Sequence, residues 1–528
     1  VNAQAALYKV VEIDQPYGNS EYYGTAVQPS AAGESCFSSE CTDTQYKISA
    51  ETRNWPAGLS YREEVPFALD NGFDYAAYDA ADFENYCDNH LGYAICDTWA
   101  QTQYSGYRNE LDGNYKNSIA FIEGGAKISD DNAVINSLTS GTSAIGNKRD
   151  GSRRNIAFQG TTPLTDPSGT VSETHAFAAN TNYIVGSVSF NNDQTTDGFE
   201  AFYSKPVIWN SSGAVVAQLP YGSGGIQGNL SDHLGQGSLR DFYVLTTPDS
   251  DGNEFIGVGY NTYTDQEMNA TIFVGKLGDL TQTESVPVLG ATVDDDYTNS
   301  VVSAVNNNGI AVGSAKRSER DSGSYNNRLF SVSGLENAAT TAPRANFFTG
   351  GIFFNGSGGT IGSINNFNEV VGKTDLTQDR EVNGTQRPQR GFINPLSYTG
   401  TDSTRRALFQ NKAWFLDDLT NGGSYSNENN QFRIIDATDI NDAGVISATA
   451  YKCPGGFENT NIDAKCSDAN SETVVAVKLI PNSNADEQAI SARAFSPNGG
   501  FGTIKREGGS LGWLALGLLA VLGFRRKR

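Results

Sequence analysis

Short apolar runs rich in Val, Ile and Phe alternate along the chain with polar stretches rich in Asn, Asp, Ser and Gly. Short runs bounded by turn residues predict β-strands. One phrase recurs: strand, Asn-containing turn, strand, Gly. Its clearest copies are Ala304–Ser314, Ser363–Lys373 and Asp439–Ala448. Weaker copies are Ala178–Ser187, Val134–Gly146 and Phe255–Gly259. Asn or Gly in the turn tolerates positive φ, and the β-branched residues that follow suit a pleated, buried surface. The closing Gly lets a strand bend or approach a neighbour closely. After most copies comes a polar loop and another apolar run, as at Lys205–Asn210, Asn327–Val332, Gln389–Asn394 and Thr473–Ile480.

Each unit therefore predicts about four short strands, too few to bury both faces unless units stack or close into a ring. The expected fold is all-β: a β-propeller-like array of about six to seven degenerate four-stranded units, with an open β-solenoid as the alternative. The N-terminal run Leu7–Ile13 is a candidate to pair with the last unit and close the ring. Residues from about 30 to 118 break the pattern and predict an insertion from the first unit, with short helices at Glu63–Ala68 and Phe83–Cys87. The repeat domain spans 6–480, a polar linker 481–507, and a tail with a short hydrophobic helix 508–528.

Composition agrees with strands. There are 57 Gly and 1 Met, and aromatic residues reach 11%, the balance of Gly-punctuated β-structure and not of long Leu/Ala/Glu/Lys helices. The formal net charge of −23 makes nucleic acid an unsuitable partner. The six Cys fall into local couples, Cys36 with Cys41, Cys87 with Cys96, and Cys453 with Cys466. Such couples favour disulfides in an oxidising compartment, with zinc as the competing reading.

The two ends point to export. Ala3-Gln4-Ala5 is an A-x-A pattern of signal-peptidase sites, so residues 1–5 read as a signal-peptide remnant. At the other end Gly508-Gly509-Ser510 leads into the apolar run Leu511–Phe524 and the basic stop Arg525-Arg526-Lys527-Arg528. The run is shorter than the roughly 20 residues of a stable spanning helix, and the basic cluster stays cytoplasmic. This tail resembles the GlyGly C-terminal sorting signal processed by rhombosortase-type intramembrane proteases. The resemblance implies transient inner-membrane anchoring, cleavage near Gly508, Gly509 and Ser510, and type II secretion to the outer surface of a Gram-negative cell or beyond. An ordinary C-terminal anchor is the alternative. The repeated phrases resemble HAF-type extracellular repeats, I-N-x-x-G-x-V-V-G-x-S followed by an A-F-L-W-like strand. His175-Ala176-Phe177 carries the triplet that names them, but ahead of its Asn phrase. With both ends, the chain looks like a member of an uncharacterised family of exported proteobacterial proteins.

Catalytic signatures are sparse. Only His90, His175 and His233 occur, and neither HExxH nor GxSxG is present. Gly141–Lys148 superficially resembles a phosphate loop, but its Lys is displaced and no Ser or Thr follows. The candidate metal loop is Asp249, Asp251 and Asn253 around Gly252, oxygen ligands of the kind Ca²⁺ uses, with a plain hairpin turn as the competing reading; Asp294-Asp295-Asp296 reads as a solvated loop. Tyr104, Tyr107 and Tyr115 are candidate ring faces for a sugar or protein, or equally packing residues of a disulfide-rich lobe. These observations favour a non-enzymatic surface protein that binds a polysaccharide or surface protein. A secreted glycosidase or lyase using paired carboxylates, and a calcium-stabilised adhesion protein, stand beside it. Non-reducing mass spectrometry of the mature protein from its native cell is expected to find a C-terminus near Gly508–Ser510 and three disulfides; an intact Arg528 would make the tail an ordinary anchor.

Overall fold

The computed structural model describes residues 6–18, 20–64, 67–69, 72–74, 77, 79–191, 202–222, 234–264, 267–294, 296–321, 323–379, 386–468 and 471–496. Seven antiparallel sheets follow one another around a closed ring, a seven-bladed β-propeller. Blade 1 has three strands, Glu21–Val27, Ile48–Arg53 and Ala120–Ile122. The other six have four. Their first strands are Ala133–Leu138, Val171–Ala179, Ser238–Val244, Tyr297–Val305, Gly359–Ile364 and Phe432–Ile440. These first strands are innermost and pack against the blades on either side. Blade 7 is built from both ends of the chain. Tyr8–Glu12 pairs antiparallel with Thr473–Pro481, Tyr8 opposite Pro481, as expected from the apolar pattern at Leu7–Ile13.

The repeated phrase has a physical cause. Every innermost strand carries a β-bulge, with Thr25, Asn136, Phe177, Arg240, Ser303, Gly362 and Thr438 as the extra residues. The bulge sits beside the closing Gly of the phrase on the second strand: Gly146, Gly186, Gly259, Gly313 or Gly372. A Cβ on Gly186 would lie 1.8 Å from the His175 carbonyl oxygen, and one on Gly313 2.1 Å from that of Val301. A Cβ at either position requires the facing backbone to shift. In blades 1 and 7 the position is held by Ala50 and Ala448.

The phrase Asn has two tasks. In its own turn, Asn306 Oδ1 accepts from the Asn308 and Ile310 amides, and Asn365 Oδ1 from those of Phe367 and Glu369. Gly309, Asn368 and Gly444 supply the positive φ that the turn needs. Its Nδ2 then reaches the next blade. Asn306 donates to the Asn365 carbonyl, Asn365 to that of Asn441, and Asn441 to that of Gln28, at 2.9–3.1 Å. A side-chain ladder thus links blades 5, 6, 7 and 1 across the closure. Val134–Gly146 is set differently. Its Asn136 is the bulge residue itself and donates to the Ala176 carbonyl of blade 3, while the turn is made by Thr139–Ser143.

The three disulfides join the local couples read from the sequence. The 30–118 region is two connections separated by the strand Ile48–Arg53. The first, 28–47, replaces the tight turn of blade 1; its Phe37 packs edge-on to Tyr8 and Phe409 and against the Arg405 guanidinium. Arg405, on α3 (Ser403–Ala407; α1 and α2 are described below), makes a buried bidentate pair with Glu369. Residues 482–496, expected in a free linker, fold back on the ring. Ala485 and Ala489 enter the core of blade 7, and the Arg493 amide donates to Asp418. The reason is apolar content that a count of polar residues hides. Residues 1–5 and the tail 508–528, where a short helix is expected, lie outside the described residues.

Two substitutions test the ladder and the bulge. Asn365→Ala strands several buried backbone groups and is expected to lower unfolding stability by about 2–3 kcal/mol in urea. Gly313→Ala is expected to lower it by about 1–3 kcal/mol through overpacking; unchanged midpoints in both variants would remove this account of the repeat.

Candidate functional site

The two faces of the ring differ. On one face the connections between first and second strands are tight turns in blades 2, 3, 5, 6 and 7, while 28–47 in blade 1 and 245–254 in blade 4 are longer. On the other, the connections between second and third strands are long: 54–119 in blade 1, 192–201 in blade 3, 376–388 in blade 6 and 453–472 in blade 7. Repeat proteins concentrate insertions on the face that binds. That face carries the candidate site.

The 54–119 connection is a small cap with its own core. Helix α1 (Ala80–Tyr86) starts with a capping box between Asp79 and Asp82, and Cys87–Cys96 ties it to α2 (Cys96–Leu111). Leu59, Phe83, Leu91 and Trp99 pack inside it. The expected helix at Glu63–Ala68 is absent. Glu63 and Glu64 are in no helix and Phe67–Leu69 is a strand, while the longer α2 was not expected. Tyr104 and Tyr107 pack partly into the cap core, and Tyr115 lies under the Arg149 guanidinium at 3.3 Å, so packing occupies all three rings.

Residues 60–64 seat the cap over the channel, almost wholly through polar contacts. Arg62 donates to Glu51 of blade 1 and to Asn136 Oδ1 and the Ile135 carbonyl of blade 2. Arg154 of blade 2 pairs with Glu110 of α2 and reaches the Ser60 and Glu63 carbonyls. The cap extends to blade 5, where the Tyr325 amide donates to the Leu91 carbonyl. At the centre lies Glu64, 5% exposed. Its carboxylate accepts from Ser238 Oγ at 2.7 Å, Tyr260 OH at 2.7 Å, Ser187 Oγ and the Arg240 guanidinium. Burial pushes the Glu64 carboxyl up, but Arg240, His175 and the hydroxyls outweigh it and hold it below its ordinary value. Arg240 is the bulge residue of blade 4 and lies 4.2 Å from the Phe177 ring and 5.5 Å from the Tyr260 ring.

His175 stands directly opposite Ser187 and is 1% exposed. Burial drives its pKa down to about 4, so the ring is neutral near pH 7. It bonds the Glu63 backbone, while its Nε2 has no hydrogen-bond partner, the Glu173 carboxylate lying 3.9 Å away. Burial also raises Glu173 to about 7. Two more carboxyls stand next to bulges. Asp241 of blade 4 accepts from the Val305 amide of blade 5, and Asp439 of blade 7 from the Val27 amide of blade 1. Burial raises Asp241 to about 7, with Asp439 adding its charge, and raises Asp439 to about 6.

The Asp249 loop is a hairpin turn. Asp249 Oδ1 accepts from the Asp251 and Asn253 amides and Oδ2 from the Asn253 side chain. Its carboxylate is thus engaged by its own turn. Among the described residues, the group of His, Cys, Asp and Glu with ligand spacing is Cys453, Cys466 and Glu472, and there the cysteines are already disulfide-bonded. His90 is half-buried in the cap, with its pKa lowered by burial to about 4. His233, Asp295, Gly508, Gly509 and Ser510 lie outside the described residues. The Glu64 cradle was missed in the sequence because Glu64 stands 123 to 196 positions from its partners.

A disulfide-bearing seven-bladed propeller with a capped channel is the class of molecule that these features define. The chain belongs to the family described as "Protein of unknown function (DUF3466)", whose pattern matches residues 253–527, from blade 4 through the tail. No curated protein matches. One solved structure, named "Glycoside hydrolase", is 9% identical with a TM-score of 0.26, covering 60% of this chain and 89% of that one. That likeness carries no argument here. No described helix is long and apolar enough to cross a membrane.

Because folding raises the pKa of Asp241 and Asp439, the folded state binds their protons more tightly than the unfolded one. Their contribution is full below about pH 4 and is lost as pH rises towards 7. The Asp241→Asn, Asp439→Asn double variant is expected to lose less stability than wild type between pH 5 and 8, by on the order of a few kcal/mol, in urea titrations. Parallel pH profiles would contradict it.

Proposed function

We propose that this is an exported, cell-surface-held binding protein whose ligand face is the long-loop face of the propeller. The observation that carries the reading is the channel mouth. There the chain's own cap bonds to blades 1 to 5, and its carboxylate Glu64 is engaged by four donors instead of standing free as an acid or base. Three disulfides support an oxidising compartment. The GlyGly-type tail supports surface sorting through a rhombosortase-type protease and type II secretion, and the family match runs through it to residue 527. The HAF-like phrases fit the same extracellular setting.

A secreted hydrolase is the second reading. Asp241 and Asp439, with pKa values raised to about 7 and 6, are the carboxyls it would use. Purified protein is expected to be retained on envelope polysaccharide from its native cell without releasing reducing ends. Release that is lost in the Asp241→Asn, Asp439→Asn variant would establish the hydrolase instead, and absence of retention would remove polysaccharide as the ligand.

A further inference from the structure

We propose that the cradle of Arg240, Tyr260, Ser187 and Ser238 is a binding site for the carboxylate of an acidic sugar, held shut by Glu64 of the cap acting as a tethered stand-in for that ligand. This rests on the binding reading above and names the ligand class for its face.

Four donors converge on one carboxylate: a guanidinium, a phenol and two hydroxyls. Three strands of two blades supply them, Ser187 from blade 3 and Ser238, Arg240 and Tyr260 from blade 4, so the cradle belongs to the rigid ring and not to the cap. Arg240 projects from a bulge, a device that re-aims a side chain. A charge-assisted cradle of this composition binds a carboxylate whether or not it is tethered.

The occupant belongs to a separable unit. The cap has its own apolar core and its own disulfide, and it meets the ring through hydrogen bonds and ion pairs around Tyr61, Arg62 and Glu64. Polar interfaces of this kind open more readily than apolar ones. On the ring residues that hold or neighbour Glu64, two nitrogens make no hydrogen bond: Arg240 Nε and His175 Nε2, the latter 3.9 Å from the Glu173 carboxylate. A carboxylate that carries hydroxyls can use these where a glutamate cannot. The Phe177 ring, half-buried, backs the Arg240 guanidinium at 4.2 Å and holds it towards the cradle. An acidic sugar carries the matching groups, a carboxylate for the four donors and hydroxyls for the unbonded nitrogens.

Occupancy by Glu64 means that an external carboxylate competes with a tethered one, and removing Glu64 raises affinity. Glu64→Ala is expected to show a melting temperature that rises with acetate and more with glucuronate, but not with glucose. The apparent Kd for glucuronate is expected to be at least about tenfold below that of wild type. The Glu64→Ala, Arg240→Ala variant should lose the response. A folded Glu64→Ala that responds to no carboxylate, or as strongly as wild type, overturns the proposal. A larger response to N-acetylglycine than to glucuronate overturns the sugar assignment. If Glu64→Ala does not fold, Glu64→Gln keeps the shape and loses the charge; glucuronate should then increase hydrogen exchange at residues 59–64, and no increase overturns the proposal. Retention of wild type on envelope polysaccharide is read independently, so the two failures are distinguishable.

Discussion

A bulged strand leaves backbone groups that its own sheet cannot satisfy, and in this ring the neighbouring blade satisfies them. All seven innermost strands are bulged. Asp241 and Asp439 take amides from the next blade, and Asn136, Asn306, Asn365 and Asn441 give hydrogen bonds to its carbonyls. Blades 2, 4, 5, 6 and 7 each reach the backbone of the next in this way, and none of these is complete alone. The same bulges open the centre of the ring and aim Arg240 at the site, so stability and site geometry come from one device.

The charge arrangement follows from that incompleteness. Buried carboxyls persist where they meet amides, hydroxyls or guanidinium groups. Glu64 and Glu51 are held below their ordinary pKa by facing arginines, against the burial that pushes them up. Asp241 and Asp439 face mainly backbone amides and are pushed up by burial. His175 is packed, neutral near pH 7 and tied to the cap.

Much of the fold was legible because the repeated phrase encodes a strict local need. The Asn of Asn306, Asn365 and Asn441 is required by both turn and ladder, and the following Gly by the bulge, so both recur in sequence. Blade 1 lacks the phrase, since a disulfide loop replaces its turn and Ala50 holds the Gly position. Only the innermost registers and the cap needed three-dimensional information. Nothing periodic marks Glu64, whose partners come from two other blades. The fold-back at Ala485 and Ala489 was likewise hidden in a polar stretch.

The two-ended seventh blade also sets an order in time. Tyr8 cannot meet Pro481 until synthesis has passed the last strand of the ring. Until then an open arc of the six earlier blades leaves an apolar sheet face uncovered at each end, the state most exposed to sticking and proteolysis. Contacts this distant in sequence also make closure a slow step. The molecule becomes a ring only as its last strand arrives, so completeness of the chain is read out by the fold itself.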